Sequence, residues 1–276
     1  MKKPVTHPLS SAESCTLYQV SLLSGLVLGD FCGHLPLSVL KTHGDTGLGT
    51  FDGADGELIM LDGAVFRAAA DGTIEQPRDT ETTPFAAAVF FKPDFTADGI
   101  GAASLQELEE RLFLLTAEDK NSILMLRLEG FFPSITLRSI VKQKKSGVPL
   151  AEVLKTGQRV YTFTGCTGTL VGLCCPEYMG GINAPGWHFH FISADKTKGG
   201  HLLDCTLENG SAVFCRIESF SLQLPQSRSS DSSIFRYLDF SKDTADDLRA
   251  VEGKKEQKHP AEQLTGEQQT GENTGA

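Results

Sequence analysis

The chain has 276 residues, of which 40% are hydrophobic and 22% are charged, proportions typical of a globular protein that buries a full core. Its formal net charge of -10 opposes binding to nucleic acid and to anionic membranes, so we expect neither as a partner. The seven cysteines are scattered without a CxxC spacing, which favours reduced thiols and argues against a cysteine-ligated zinc site.

Residues 1–14 predict a loose arm, and no apolar run follows Lys2 and Lys3, which argues against a secretory signal. Residues 16–28 repeat apolar side chains at helical spacing before Gly29 and predict a short helix. The apolar part of this segment is too short, and too often interrupted by serine and glycine, to span a bilayer. We therefore expect a cytoplasmic protein.

After a second short helical stretch at 35–43, the pattern turns to β structure. Segments 49–51, 56–63 and 64–68 are separated by Asp-Gly pairs and predict an antiparallel meander with tight turns. Glu57 lies near the start of the middle strand. An acid at such a place is most often a solvent-exposed strand end, since Glu is seldom buried without a partner.

The strongest helix signal is the capping box of Ser104 and Glu107, which precedes leucines that repeat on one face. Two strands are predicted next, at 122–130 and 134–141, and Arg138 lies in the second. An arginine on a half-buried strand is more often a surface residue. Its guanidinium is also the group best shaped to hold a carboxylate through two parallel hydrogen bonds.

Residues 186–192, with the sequence GWHFHFI, predict a strand in which aromatic and imidazole side chains alternate. Successive side chains of a strand point to opposite faces, so the aromatic residues share one face while His188 and His190 share the other. The polar loop 193–200 ends in two glycines and predicts a hairpin that returns His201 to this pair.

Three converging imidazoles are the protein ligands of a catalytic zinc site, which keeps one coordination position open for water or substrate. Three of the seven histidines fall within this one hairpin, which favours a metal site over ordinary surface histidines. Nickel, manganese or iron could bind the same nitrogens, because ligand type selects weakly among these metals.

The second half of the chain predicts a short helix at 150–154 followed by a series of strands. A basic turn at 142–147 is a plausible boundary between lobes, and the composition changes sharply near the end of the chain, where almost nothing can be buried. The predicted domains are a loose arm at 1–14, an α+β lobe at 15–147, a β-rich metal-binding lobe at 148–253 and a disordered tail at 254–276.

The sequence resembles the acetolactate decarboxylases from about residue 17 to residue 253, which is most of the chain. The motifs that carry the resemblance are LYQVS at 17–21, GLGTFDGADGELIMLDG at 47–63, TPF at 83–85, Leu-Arg-Ser at 137–139, GWHFHFI at 186–192, GGHLLD at 199–204 and Val-Glu-Gly at 251–253. These motifs follow one another in the same order as in the family, and this shared order over the span is much more specific than any one motif.

The resemblance implies an α+β fold of two β-rich lobes with the active site in the cleft between them. The N-terminal lobe would contain a mixed sheet, and the mainly antiparallel C-terminal lobe would carry the histidine hairpin. The implied reaction converts the small molecule 2-acetolactate to acetoin and carbon dioxide, with zinc stabilising the enediolate. Members of the family often form homodimers, so a homodimer is a possible state of this chain.

Particular residues follow from the resemblance. It implies that zinc is bound by His188, His190 and His201. It assigns catalytic roles to Arg138, Glu57 and Glu252, and a position lining the pocket to Thr50. Asp246 or Asp247 is the alternative to Glu252. The proton donor stays open among Glu57, Glu252 and Arg138 acting through water.

Two other classes of protein remain alternatives. A metal-dependent oxygenase on a cupin-like barrel also uses a His-x-His strand, but it would need a ligating Glu shortly afterwards, where the only nearby acid is Asp195 in a turn. A non-catalytic β-rich binding module with a structural metal would need a fourth protein ligand that closes the site.

Overall fold

The computed structural model describes residues 6–8, 15–225, 234–241, 247 and 251. This part of the chain is mostly β structure with few helices. The predicted tail, Glu252 and the predicted arm apart from Thr6–Pro8 lie outside the described residues.

The strands are β1 (Thr6–Pro8), β2 (Thr16–Val20), β3 (Leu35–Pro36), β4 (Thr46–Thr50), β5 (Glu57–Leu61), β6 (Ala64–Ala68), β7 (Ile74–Glu75), β8 (Thr82–Thr83), β9 (Ala86–Val89), β10 (Phe95–Ala102), β11 (Ile123–Ile140), β12 (Gln158–Cys175), β13 (Gly186–Ser193), β14 (Gly199–Ile217) and β15 (Ser219–Gln223). The α-helices are α1 (Leu23–Val27), α2 (Leu37–Leu40), α3 (Leu105–Leu115) and α4 (Leu150–Gly157). Short 3-10 helices are formed by Ala117–Asp119, Glu177–Met179 and Phe235–Tyr237.

The first sheet is antiparallel and has the strand order β1-β10-β14-β11-β12-β13. β13 also pairs with β14, so β14, β11, β12 and β13 close into a ring of strands. β10 and β11 precede residue 147, whereas β12, β13 and β14 follow it. The sheet therefore takes strands from both sides of the predicted boundary between lobes.

The second sheet is mixed and has the order β15-β2-β9-β4-β5-β6-β7, in which only β15 and β2 are parallel. It contains the predicted meander, since β4, β5 and β6 are consecutive neighbours. Asp62 and Gly63 form the tight turn between β5 and β6, and both have positive φ, of 52° and 76°. An Asp-Gly pair favours this kind of turn because two residues with positive φ match the twist of the adjoining strands.

The two sheets pack against each other through a buried apolar cluster to which both contribute. Leu48 and Ile59 come from the second sheet, and Met125, Val171 and Ile192 come from the first. Ile192 is a residue of β13 whose side chain takes part in this packing. Because the side chains of β13 alternate, the histidines at positions 188 and 190 also face the second sheet.

The other face of β13 carries the aromatic residues and packs against α3. Trp187, Phe189 and Phe191 belong to a separate core cluster that includes Leu108 and Leu112 of that helix. Trp187 stacks on Phe189 with ring centroids 5.4 Å apart. The predicted division of the strand into an aromatic face and an imidazole face is therefore confirmed.

The predicted helix at 16–28 is wrong in its first half, because Thr16–Val20 is a strand and α1 contains only Leu23–Val27. β2 lies between β9 and β15, and all of its residues after Thr16 are buried. A strand buried on both faces has a nearly continuous apolar pattern, which periodicity cannot distinguish from that of a helix. The stretch at 35–43 likewise contains only the four-residue α2, after β3.

The cap by Ser104 is confirmed, while the Glu107 carboxylate reaches the residue before the N-cap instead of the N-cap itself. The Ser104 hydroxyl oxygen accepts from the backbone N–H of Glu107 at 3.2 Å, and the Glu107 carboxylate accepts from the N–H of Ala103 at 2.8 Å. The strands predicted at 122–130 and 134–141 are one strand, β11, whose pairing with β12 is interrupted only at Pro133. Proline removes one ladder hydrogen bond without ending this strand.

In the part of the chain that the structure describes, no helix is long and apolar enough to cross a membrane.

Candidate active site

Three buried histidines on β13 and β14 converge on one point. His188 and His190 project from the same face of β13, and His201 lies directly opposite His190 on β14. Nε2 of His188 lies 3.2 Å from Nε2 of His190 and 3.1 Å from Nδ1 of His201. The structure thus brings together the three side chains that the hairpin pattern singled out.

The backbone carbonyl of Leu58 determines which nitrogen of His190 carries the hydrogen. Nδ1 of His190 lies 2.8 Å from this oxygen, which can only accept, so Nδ1–H is the donor. The lone pair of Nε2 then points toward the other two histidines. Hydrogen bonds of this kind orient metal-binding histidines and raise their basicity. Because Leu58 belongs to β5, the second sheet orients a side chain of the first.

The distances within the histidine group fit a metal ion. Two nitrogens that each lie ~2.0–2.1 Å from a tetrahedral zinc are about 3.3 Å apart, close to the observed 3.1 and 3.2 Å. A single hydrogen on Nε2 of His188 cannot satisfy both neighbouring nitrogens well, so a cation suits this arrangement better than hydrogen bonding alone.

Among the described residues, these three histidines form the group whose ligand atoms all lie within 4.8 Å of one another, close enough to share one metal ion. Three protein ligands are typical of catalytic zinc sites, whereas structural sites have four. The donor set therefore fits a metal that keeps a position open for substrate.

Glu57 is buried beside the histidines. One carboxylate oxygen, Oε2, lies 3.5 Å from Nε2 of His190, and only 6% of the residue is exposed. The solvent-exposed strand end that the pattern alone favoured is therefore wrong. Thr50 lies directly opposite on β4, and its hydroxyl donates to the carbonyl of Gly56 at 2.7 Å. This hydrogen bond fixes the backbone immediately before Glu57.

Arg138 is also buried, with 4% of the residue exposed, and it lies directly opposite His201 across the β11–β14 ladder. Directly opposite residues of an antiparallel pair project from the same face of the sheet. Arg138, His201 and His190 therefore form a row across three neighbouring strands. This geometry excludes the more common surface position for the arginine.

A β-bulge makes this row possible. Thr136 pairs with Asp204 but Leu137 pairs with Leu202, so Leu203 is an extra residue in β14. Without it, the register would place His201 opposite the residue after Arg138, and its side chain would point to the other face. The bulge therefore places the third histidine on the face that carries Arg138.

Gly200 packs closely against the strand that carries Arg138. A Cβ at this position would lie 2.7 Å from the Arg138 carbonyl oxygen and 3.0 Å from the Tyr161 hydroxyl, and φ is +154°. Gly200→Ala is expected to lower the free energy of unfolding by about 2–3 kcal/mol, because β14 must move away from β11. The same movement separates His201 from Arg138, so turnover should fall too. Urea unfolding and an activity assay measure the two effects.

Gly63→Ala is the matched control for this substitution. Gly63 has a φ of +76°, and nothing lies within 4 Å of the Cβ that the substitution would add. The strain of the left-handed conformation alone should cost about 1 kcal/mol, and activity should be unchanged. Equal losses in the two variants would contradict the importance of close packing at Gly200.

Ser139 joins the two sheets beside the site. Its hydroxyl donates to the carbonyl of Ala68 at 2.8 Å, and Ala68 pairs directly with Glu57. The backbone N–H of Gly56 donates to the carbonyl of Ile140 at 3.1 Å. Ser139, which follows Arg138, is thus bonded to Ala68 opposite Glu57. Ile140 is bonded to Gly56, the residue before Glu57. The sequence assigned no role to Ser139, because a serine on a strand carries no signal until its partner on the other sheet is known.

Ser139→Ala is expected to lower kcat about tenfold without changing the metal content, because the tether between the strands carrying Arg138 and Glu57 is lost. Steady-state kinetics with metal analysis measures both quantities. Ser211→Ala is the control, since that hydroxyl bonds only to the exposed Asp98 at 2.6 Å. Wild-type kcat in the Ser139 variant would show that the tether has no influence on the site.

The remaining acids have different positions. Asp195 is exposed in the turn between β13 and β14, where hydrogen bonds from Ser193 and Thr197 lower its pKa to about 2. It is not part of the group of three histidines that could hold a metal, so Asp195 does not supply the ligating carboxylate of the cupin-like alternative. Asp247 is half-buried and is also outside that group. Glu252 and Asp246 lie outside the described residues.

Comparisons of the sequence with known proteins all indicate the same family. Residues 17–236 match the family model of alpha-acetolactate decarboxylase. The alpha-acetolactate decarboxylase of Methanosarcina mazei is 38% identical over 244 residues, which cover 88% of this chain and 82% of the relative. That of Bacillus subtilis is 34% identical over 227 residues, covering 82% of this chain and 88% of the relative.

A solved structure of the same enzyme family has a similar fold. The crystal structure of alpha-acetolactate decarboxylase from Bacillus subtilis strain 168 matches with a TM-score of 0.80 at 31% sequence identity, covering 86% of this chain and 99% of that one. The residues matched by the family model include the histidine hairpin and strands from both sheets. Because the sequence match extends over most of its length, the chain belongs to the alpha-acetolactate decarboxylase family.

Proposed function

We propose that this protein decarboxylates 2-acetolactate to acetoin and carbon dioxide. In this reaction the bond between C1 and C2 breaks, its electron pair moves toward the C3 ketone to give an enediolate, and a proton added at C2 completes acetoin. The protein must therefore stabilise developing negative charge and deliver one proton. The observation that carries the proposal is the convergence of three buried histidines in a chain of this family.

We infer that the ion held by His188, His190 and His201 is zinc. The spacing of their nitrogens and the hydrogen bond from His190 to Leu58 support a bound metal ion, and three histidines are a known ligand set of catalytic zinc. When bound, zinc supplies a Lewis acid that draws electron density from the oxygens of the substrate.

We assign Arg138 to binding the carboxylate of the substrate. Its guanidinium remains protonated at any working pH and can hold a carboxylate through two parallel hydrogen bonds. Burial beside His201 strengthens this attraction, because little water competes for the charge. When the carboxylate is held in this way, the C1–C2 bond can lie in the orientation from which its electrons flow into the adjacent ketone.

We assign Glu57 to proton transfer. Its carboxylate lies against His190 and is shielded from bulk water, so it can hold a proton close to C2 of a substrate bound at the histidines. A proton delivered from one side sets the configuration of the new stereocentre. Thr50, buried opposite Glu57, would line the same pocket.

We propose Glu252 as the second carboxylate. The preceding residue, Val251, is buried in a cluster that includes Phe85 and Ile140. Ile140 follows Arg138 by two positions, and the carbonyl of Phe85 accepts from the backbone N–H of Thr50. The position of Val251 thus supports a place for Glu252 near the site.

We further propose that the two sheets form the two lobes expected for the family and that the site lies in the cleft between them. The histidines and Arg138 come from the first sheet, while Glu57 and the carbonyl of Leu58 come from the second. Movement of one sheet against the other would therefore change the distance between proton donor and metal ligands.

The test is acetoin formation from 2-acetolactate by the purified full-length chain, compared with the spontaneous rate. We expect zinc-loaded protein to produce acetoin at least ~10³-fold faster than the uncatalysed reaction. A variant with His188, His190 and His201 all replaced by alanine should show no acceleration. Folded, zinc-loaded wild-type protein that fails to exceed the spontaneous rate would contradict the proposed reaction.

A further inference from the structure

Two thiols from distant parts of the sequence are in contact. Sγ of Cys215 lies 2.9 Å from Sγ of Cys15, and the two residues are 200 positions apart. Cys15 immediately precedes β2 of the second sheet, whereas Cys215 lies in β14 of the first. This pair of side chains is thus a contact between the two sheets.

The backbone keeps the pair together. The carbonyl of Cys15 accepts hydrogen bonds from the N–H groups of Glu218 and Ser219, at 2.9 and 3.2 Å. These residues follow Cys215 closely in the chain. Since a disulfide bond is ~2.05 Å long, the two sulfurs need to approach by less than about 1 Å to become bonded.

Cys15 differs chemically from the buried thiol of Cys205. The Cys215 thiol donates to its sulfur, and together with the backbone and charge of Lys92 it lowers the pKa of Cys15 below the ordinary value, although burial and Asp94 oppose this shift. Burial raises the pKa of Cys205, by contrast, to about 12. Because the thiolate is the reactive form, Cys15 is the better nucleophile.

A cavity gives small molecules a route to Cys15. It has a volume of about 290 Å³ and is lined by Cys15, Thr42, His43, Lys92 and Phe90, among others. Phe90 is 50% exposed, which places the cavity at the protein surface. Cys215 does not line it and has no exposed surface. A reagent that enters the cavity therefore meets Cys15 first.

We propose that Cys15 and Cys215 are a redox-active pair that forms a reversible disulfide by exchange with a low-molecular-weight disulfide. The Cys15 thiolate attacks one sulfur of the reagent, forming a mixed disulfide and releasing one thiolate. Cys215 then gives up its proton and attacks the Cys15 sulfur, releasing the second thiolate. The protein loses two electrons and two protons, and the reagent is reduced to two thiols.

The cross-link ties residue 15 to residue 215 and joins the two sheets covalently. A loop of this length restricts the unfolded chain strongly, so the oxidised protein should unfold at a temperature higher by at least about 5 °C. Cys15 and Cys215 are both thiols in the structure, which therefore represents the reduced state of this pair. This inference does not depend on the proposed decarboxylase activity.

The experiment treats the full-length protein with glutathione disulfide, blocks the remaining thiols with N-ethylmaleimide and maps peptides without reduction. We expect a peptide linking residues 15 and 215 to be the main product, and dithiothreitol to remove both the link and the rise in unfolding temperature. Absence of the link, whether or not other cysteines react, would overturn the proposal.

Single substitutions test the order of the two steps. Cys215→Ser should stop at a mixed disulfide of glutathione with Cys15, whereas Cys15→Ser should leave Cys215 unmodified. Cys205→Ser is the control and should form the link as the wild-type chain does. Modification of Cys215 in the Cys15 variant, or an unreactive Cys15 in the Cys215 variant, would contradict the role of Cys15 as the attacking thiol.

Discussion

Arg138→Ala is expected to lower kcat for acetoin formation by about 10³-fold while zinc remains bound. The alanine removes the group that we assign to the substrate carboxylate, but it leaves the three histidines and the hydrogen bond from His190 to Leu58 in place. Steady-state kinetics and metal analysis of the same preparation measure the two quantities. Loss of zinc from the Arg138→Ala protein would indicate instead that the substitution disturbs the structure of the metal site.

Two further variants separate charge, geometry and strand stability. Arg138→Lys keeps the positive charge but not the two parallel hydrogen bonds, so it should recover only a small part of the lost turnover. Arg127→Ala is the matched control on β11, because that guanidinium contacts Asp62 and Thr46. We expect its kcat to stay within about twofold of wild type. Wild-type turnover in Arg138→Ala would exclude the assigned role.

His190→Ala is expected to weaken zinc binding by at least ~100-fold and to reduce acetoin formation to near the spontaneous rate. His190 is the proposed ligand whose tautomer is fixed from the second sheet, and its Nε2 lies 3.5 Å from Glu57 Oε2 and 3.2 Å from Nε2 of His188. Its removal leaves two imidazoles, which bind zinc much more weakly than three. Zinc affinity can be measured by competition with a chromophoric chelator.

The control for this variant is His43→Ala. His43 stacks on Tyr18 with ring centroids 3.7 Å apart and is not part of the metal-binding group. We expect this variant to keep its zinc and its activity, even if it loses some stability. Wild-type zinc affinity in His190→Ala would show that the metal is bound elsewhere.

The histidine site could be predicted from the sequence because its information is local. Alternation along GWHFHFI determines which side chains face the second sheet, and a short glycine-containing loop sets the return of His201. The cap of α3 by Ser104 is local in the same sense. In each case the interacting residues lie within about 15 positions of one another, so one stretch of sequence contains both partners.

Other parts of the fold depend on contacts between distant residues. The bulge at Leu203 appears only when β14 is aligned with β11, and nothing in the sequence of either strand marks it. The link from Ser139 to Ala68 and the parallel pairing of β15 with β2 are likewise long-range. The pattern of β2 was misread as helical because burial on both faces hides the period of a strand.

The burial of Glu57 also depends on contacts between residues that are distant in the sequence. Its position at the start of a strand favoured a solvent-exposed acid, and only the packing of β5 against β13 explains why it is buried beside His190. The family resemblance indicated its importance, whereas the residue pattern alone did not.

The most direct test of a metal-dependent decarboxylase is the titration of zinc into protein that a chelator has freed of metal, with acetoin formation from 2-acetolactate measured after each addition. We expect activity to be absent at the start, to rise in proportion to added zinc and to level off at about one zinc per chain. Full activity in metal-free protein, or no acetoin above the spontaneous rate at saturating zinc, would contradict the proposed role of the three histidines.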